Sequence, residues 1–94
     1  MPTEVQRTFL FTDIEGSSER WRAFPEVMPA ALERHNALIG AAVERAGGRI
    51  FKTVGDEMCA VFDAPEPALL AAIEAQRALQ ALDWSQFGER FGPL

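Results

Sequence analysis

Two short acidic segments hold the residue types from which chemistry can be built: Phe11-Thr12-Asp13-Ile14-Glu15-Gly16-Ser17-Ser18 and Lys52-Thr53-Val54-Gly55-Asp56-Glu57. Each sets one aspartate at the end of an apolar, strand-like run. A desolvated charge at such a place needs a partner. Two carboxylates brought close together repel each other unless a cation sits between them. Hard oxygen ligands of this kind suit Mg²⁺ or Mn²⁺. The pair therefore points to a divalent-metal site, and such a site commonly acts on a phosphate.

The elements that must position these carboxylates can be read from apolar periodicity. Residues 7–12 are aromatic and β-branched and predict a strand that Asp13 ends. Gly16-Ser17-Ser18 predicts a turn into a short helical piece, with Ser17 or Ser18 as its cap and Trp21 and Phe24 as its anchors. Met28, Ala31, Leu32, His35, Leu38, Ile39, Ala42, Val43 and Ala46 repeat at three and four residues. That spacing predicts one apolar face of a longer helix, begun near Pro25 or Pro29 and stopped by Gly47-Gly48. Residues 49–54 and 58–62 predict a β-hairpin closed by Gly55-Asp56-Glu57. After a loop over 63–67 comes a second amphipathic helix with Ala68, Ala72, Ala75, Leu79 and Leu82 on one face. Residues 83–94, with Trp84, Phe87 and Phe91, form a tail to which no element is assigned.

The resulting order, β-α-β-β-α, is that of an α+β, ferredoxin-like (palm-type) domain without its closing strand: an antiparallel sheet with two helices on one face. In that order the first and third strands are neighbours, so the end of the first lies against the turn between the second and third. Asp13 and Asp56 thereby become one site.

Composition narrows the setting. The 94 residues are enough for one small domain, with 7–82 as its core. At 48% hydrophobic the chain can form a core, though a domain of this size buries only about 60–65% of its unfolded surface. A net charge of −5 argues against a nucleic-acid groove. The lone Cys59 excludes an internal disulfide and fits a reducing compartment. No apolar run approaches the ~20 residues of a membrane span, and residues 1–7 lack the features of a signal peptide. A cytoplasmic protein is expected.

The two segments match a known family. Phe9-Leu10-Phe11-Thr12-Asp13-Ile14-Glu15-Gly16-Ser17-Ser18 resembles the first metal motif of class III adenylate/guanylate cyclase catalytic domains, and Phe51-Lys52-Thr53-Val54-Gly55-Asp56-Glu57 resembles the second. His35-Asn36 and Gly47-Gly48 resemble the bacterial members. The resemblance covers residues 8–82, about the first half of such a domain. It implies that Asp13 and Asp56 hold two Mg²⁺ or Mn²⁺ ions, with the Ile14 carbonyl touching one of them. It implies that backbone amides of Glu15, Gly16, Ser17 and Ser18 cradle the nucleotide's β- and γ-phosphates. Lys52 matches the purine-reading lysine that favours ATP over GTP. The implied reaction makes cyclic AMP and pyrophosphate from ATP. The family's active sites form between two subunits, so a homodimer or higher self-association is implied. Its transition-state asparagine and arginine belong to the second half of the domain and have no counterpart here, so little or no turnover is expected of this chain by itself.

Simpler readings stand beside each of these. Asp13 suits a turn after a strand, Asp56 suits a hairpin, Lys52 suits a solvated strand, and the two serines suit a helix cap. Glu15 and Glu57 are expected to be solvated, Cys59 to be a small core residue, and His35 to be a hydrogen-bonded structural histidine. The competing function is a degenerate cyclase homology domain that binds a nucleotide or a partner without turnover. Val54-Gly55-Asp56-Glu57-Met58 also echoes diguanylate cyclases, but Ile14-Glu15-Gly16-Ser17-Ser18 lacks that family's basic and Asn-Asp elements.

Overall fold

Among the described residues, the last strand in sequence is the middle strand of the sheet. In the computed structural model, which describes residues 7–88, β1 (Thr8–Thr12) and β2 (Arg49–Val54) flank β3 (Glu57–Phe62). Both pairings are antiparallel. Covered from both sides, β3 is buried at every residue after Glu57. β1 instead alternates between half-buried and exposed residues, the two-residue period of a strand with one packed face. Three α-helices complete the order: α1 (Ser17–Ala23), α2 (Met28–Arg45) and α3 (Pro65–Ala81).

Packing divides the sheet into two unlike faces. Met58, Ala60 and Phe62 point toward α2 and α3, where they meet Met28, Ala31, Ile39, Ala42, Val43, Ala68, Ala71, Ala75 and Leu79 in one core. The opposite face carries Phe9, Phe11 and Phe51, which are 54%, 64% and 46% exposed. The ring of Phe9 stacks near that of Phe11 at 6.4 Å between centroids and meets that of Phe51 edge-on at 6.0 Å.

α2 follows its predicted apolar face and starts with Pro29 in its first turn. It ends in a Schellman motif. Gly47 takes φ +84°, its N–H reaches Glu44 O at 3.0 Å, and the Gly48 N–H reaches Val43 O at 2.9 Å. Gly48 also lies against the buried Phe62 ring, so closely that a Cβ there would overlap it.

Several local expectations are corrected. The hairpin turn has two residues, because Val54 already pairs with Glu57. Gly55 takes φ +58° there, the conformation glycine supplies as first residue of such a turn. β2 also contains a bulge. Ile50 pairs with Ala60 and Lys52 with Cys59, which leaves Phe51 as an extra residue. α3 begins at Pro65, inside the expected loop, since a proline fits the first turn of a helix as well as a loop. Ala71 is fully buried and Ala72 only half-buried, because an alanine-rich helix gives its faces little contrast. α1 buries no residue. Trp21 is 38% exposed, while Phe24 packs against the core.

Part of the tail has structure. Asp83 accepts the Ser85 N–H at 3.0 Å and starts a 3-10 turn, Trp84–Phe87. Trp84 is 5% exposed, and its indole N–H donates to Leu79 O at 2.7 Å. The expectations placed on Phe91 and on residues 1–6 lie outside the described residues.

Candidate metal centre

The C-terminal end of β1 meets the β2–β3 turn because Thr12 pairs with Met58. Asp13 leaves the sheet there, next to the turn that carries Asp56. The side chain of Ile14 is 5% exposed and anchors the segment after β1. Its backbone N–H is thereby held between two carboxylates. It donates to Asp13 Oδ1 at 2.8 Å and to Asp56 Oδ2 at 3.1 Å.

The two carboxylates also act on each other, which sets their proton affinities apart. The hydrogen bond to Asp56 is the largest influence on Asp13. With the nearby charges of Asp56 and Glu57, it raises the Asp13 carboxyl above its ordinary value, against the lowering effect of the Ile14 N–H. Partial burial acts to raise Asp56. Hydrogen bonds from Asp13, the Ile14 N–H, its own backbone N–H and the Ser17 hydroxyl outweigh it and leave Asp56 below the ordinary value. The two shifts run in opposite directions, as expected of like charges brought close together.

Ser17 differs from its expected role. No side chain caps α1. Gly16, at φ +68°, is the cap residue, and the Ser17 hydroxyl is spent on Asp56. Glu15, Gly16 and Ser18 are exposed around this turn. Lys52 is exposed on the open face of the sheet, across from Cys59. Cys59 itself is buried and free, as expected of a core residue.

His35 is 2% exposed, and its Nδ1 lies 2.8 Å from Asn36 Oδ1. Asn36 Nδ2 donates to Gly55 O at 3.2 Å. The apolar helix face located His35 in the sequence. The reach of Asn36 to the turn, 19 positions away, has no local signal and depends on how α2 packs on the sheet.

The donor set suits a hard cation that arrives with a phosphate. Among the described residues no group of three or more His, Cys, Asp or Glu side chains converges. Two adjacent carboxylates are too few to enclose a metal, but Mg²⁺ is commonly held by one or two carboxylates together with substrate phosphates and water. Asp13 and Asp56 supply such a pair. Among the described residues no helix is long and apolar enough to cross a membrane.

Comparison with known proteins gives a consistent picture. The profile of the adenylate and guanylate cyclase catalytic domain matches residues 2–87. A receptor-type adenylate cyclase from Trypanosoma equiperdum is 40% identical over 77 residues, spanning 82% of this chain and 16% of that protein. An adenylate cyclase from Podospora anserina is 37% identical over 75 residues, spanning 80% of this chain and 4% of that protein. The chain therefore spans a small part of the length of the curated relatives it matches. These relatives are eukaryotic, whereas the sequence resemblance of His35-Asn36 and Gly47-Gly48 was to bacterial members. A structure of adenylate cyclases from Trypanosoma brucei in their monomeric state superposes with a TM-score of 0.83 at 34% identity, over 89% of this chain and 37% of that one.

Proposed function

The chain belongs to the adenylate and guanylate cyclase catalytic domain family, and from that membership we propose that it forms the metal-bearing part of an active site that converts ATP to cyclic AMP and pyrophosphate. The convergence of Asp13 and Asp56 on the Ile14 N–H carries this reading. In it, Asp13, Asp56 and the Ile14 carbonyl hold two Mg²⁺ or Mn²⁺ ions. When bound, such ions supply activation of the ribose 3′-hydroxyl and charge neutralisation at the departing pyrophosphate. Ser17 and the Ile14 N–H keep Asp56 ionised and aimed. The turn through Glu15, Gly16, Ser17 and Ser18 offers first-turn N–H groups, which have no partner within a helix, to the β- and γ-phosphates. Lys52, on the open face, reads the purine and favours ATP over GTP. The exposed aromatic face supports a homodimer that completes the base pocket. The buried free thiol of Cys59 suits a reducing, cytoplasmic setting.

Thermal melting with Mn²⁺ and a non-hydrolysable ATP analogue tests the metal reading. Binding to the native state alone stabilises by about 2.7 kcal/mol at a hundredfold excess over Kd. No shift, or an equal shift in Asp13→Ala, would overturn it.

A further inference from the structure

We propose that Asn36 and His35 are positioning residues for the carboxylate pair: Asn36 holds the turn that carries Asp56, and His35 fixes the Asn36 amide. This role rests on the metal reading above. Asp56 sits at the tip of a two-residue turn whose first residue is a left-handed glycine. From outside the hairpin, the Ile14 N–H holds the Asp56 side chain, and Asn36, on α2, holds the backbone of the turn at Gly55 O.

The point of attachment matters. The Gly55 carbonyl and the Asp56 N–H belong to one planar peptide unit. Fixing that oxygen fixes the peptide plane from which Asp56 and its side chain depart. Asn36 thus reaches the carboxylate through a rigid plate.

The chemistry of the donors leaves one arrangement. A carbonyl only accepts, so the part of the Asn36 side chain facing Gly55 is Nδ2, and Oδ1 faces His35. That oxygen also only accepts, so the His35 proton is on Nδ1. The imidazole is 2% exposed, on the buried face of α2. The order of support runs from core histidine to helix amide to turn carbonyl to Asp56.

Two measurements on the 94-residue chain test this. Mn²⁺ titration followed by electron paramagnetic resonance reads the metal site. The amide proton shift of Ile14, recorded without metal, reads the geometry of the pair alone. Asn36→Ala should weaken Mn²⁺ binding about tenfold, the scale of lost outer-shell support, and move the Ile14 amide upfield. His35→Leu, similar in bulk but without a donor, should do the same. His35→Asn, whose side-chain N–H stands near the place of Nδ1, should restore both. An unmoved Ile14 amide in Asn36→Ala, or equal losses in His35→Leu and His35→Asn, would overturn the positioning role. A wild-type chain that binds no Mn²⁺ while its Ile14 amide still responds to Asn36→Ala would overturn the metal reading and leave the positioning of Asp56 supported.

Discussion

Asp56 accepts the backbone N–H of Ile14 at 3.1 Å across 42 positions of sequence. Asp13 competes for the same hydrogen from 2.8 Å. One donor is thus divided between two carboxylates, so the pair is short of positive charge whenever both groups are ionised.

Replacing Asp13 by asparagine should relieve that shortage. In Asp13→Asn the side-chain oxygen still accepts from Ile14, and the amide N–H supplies a donor toward Asp56 where the wild type has a second carboxylate. The metal-free variant should melt higher than the wild type at neutral pH and gain nothing from Mn²⁺. Calorimetry in EDTA and then in Mn²⁺ checks both. A lower melting temperature without metal would show that the pair is not repulsive.

The same pair predicts an unusual response to pH. The Asp13 carboxyl is raised above the 3.8 of a free aspartate. Between that value and its raised one, the folded chain binds more protons than the unfolded chain, so its contribution to stability falls as pH rises through the window. Asp56 is lowered. Its contribution is present above the free value and is lost as pH falls through its folded value. Metal-free stability attributable to the pair should therefore rise on mild acidification before it falls, and Mn²⁺ affinity should drop as Asp13 gains its proton. Melting between about pH 3 and 7, with Asp13→Asn subtracted, isolates the effect. Identical profiles for wild type and variant would contradict it.

Lys52 is predicted to govern base choice more than metal binding. In a protein carrying the rest of the domain, Lys52→Glu should reduce the preference for ATP over GTP several-fold while changing Mn²⁺ affinity less. Equal losses toward both nucleotides would assign Lys52 to structure alone.

Close packing at Gly48 makes the clearest stability prediction. Gly48→Ala would drive a methyl group into the ring of Phe62, which is 2% exposed. Overpacking of this kind costs about 1–3 kcal/mol. Gly40→Ala, on α2 with nothing within 4 Å of the added carbon, should instead stabilise by roughly 0.5–1 kcal/mol. Denaturant unfolding of the two variants measures the contrast, and similar effects would refute the packing argument.

The open face should make the chain self-associate. Phe9 and Phe11 lie on β1, which has no strand partner on its outer side among the described residues. An apolar edge of this kind invites pairing with another chain. Light scattering should show a dimer or larger species at micromolar concentration, and the double substitution Phe9→Lys, Phe11→Lys should return it to monomer. A monomeric wild type, like the solved relatives from Trypanosoma brucei, would overturn this.

The proximity of Asp13 and Asp56 was legible before any coordinates, because strand order alone brings the end of β1 to the β2–β3 turn. His35 was legible from helical spacing. The bulge at Phe51 was not, since Arg49-Ile50-Phe51-Lys52-Thr53-Val54 reads as a strand in either register. Ser17 looked like a cap because a serine before a helix usually is one. Its bond to Asp56 requires two segments that only the fold brings together. Trp84 stood among polar residues, and its burial depends on the Leu79 carbonyl at the end of α3.

The bulge also turns part of the chain into a counting device. Sides alternate strictly along a strand, so parity decides which face a residue meets. With Phe51 as the odd residue, Lys52 pairs with Cys59 on the open face while Gly55 and Asp56 still close the turn. Removing Phe51 would leave Ile50 opposite Ala60 and Lys52 opposite Cys59 in plain alternation, so Lys52 keeps the open face and Asp56 its place beside Ile14. Removing Thr53 instead forces a choice: either Lys52 moves to the helix-covered face, or the turn slips by one and Asp56 leaves Ile14. The slack in the strand therefore sits at Phe51, and the stretch from Lys52 to Asp56 is constrained in length more tightly than in composition.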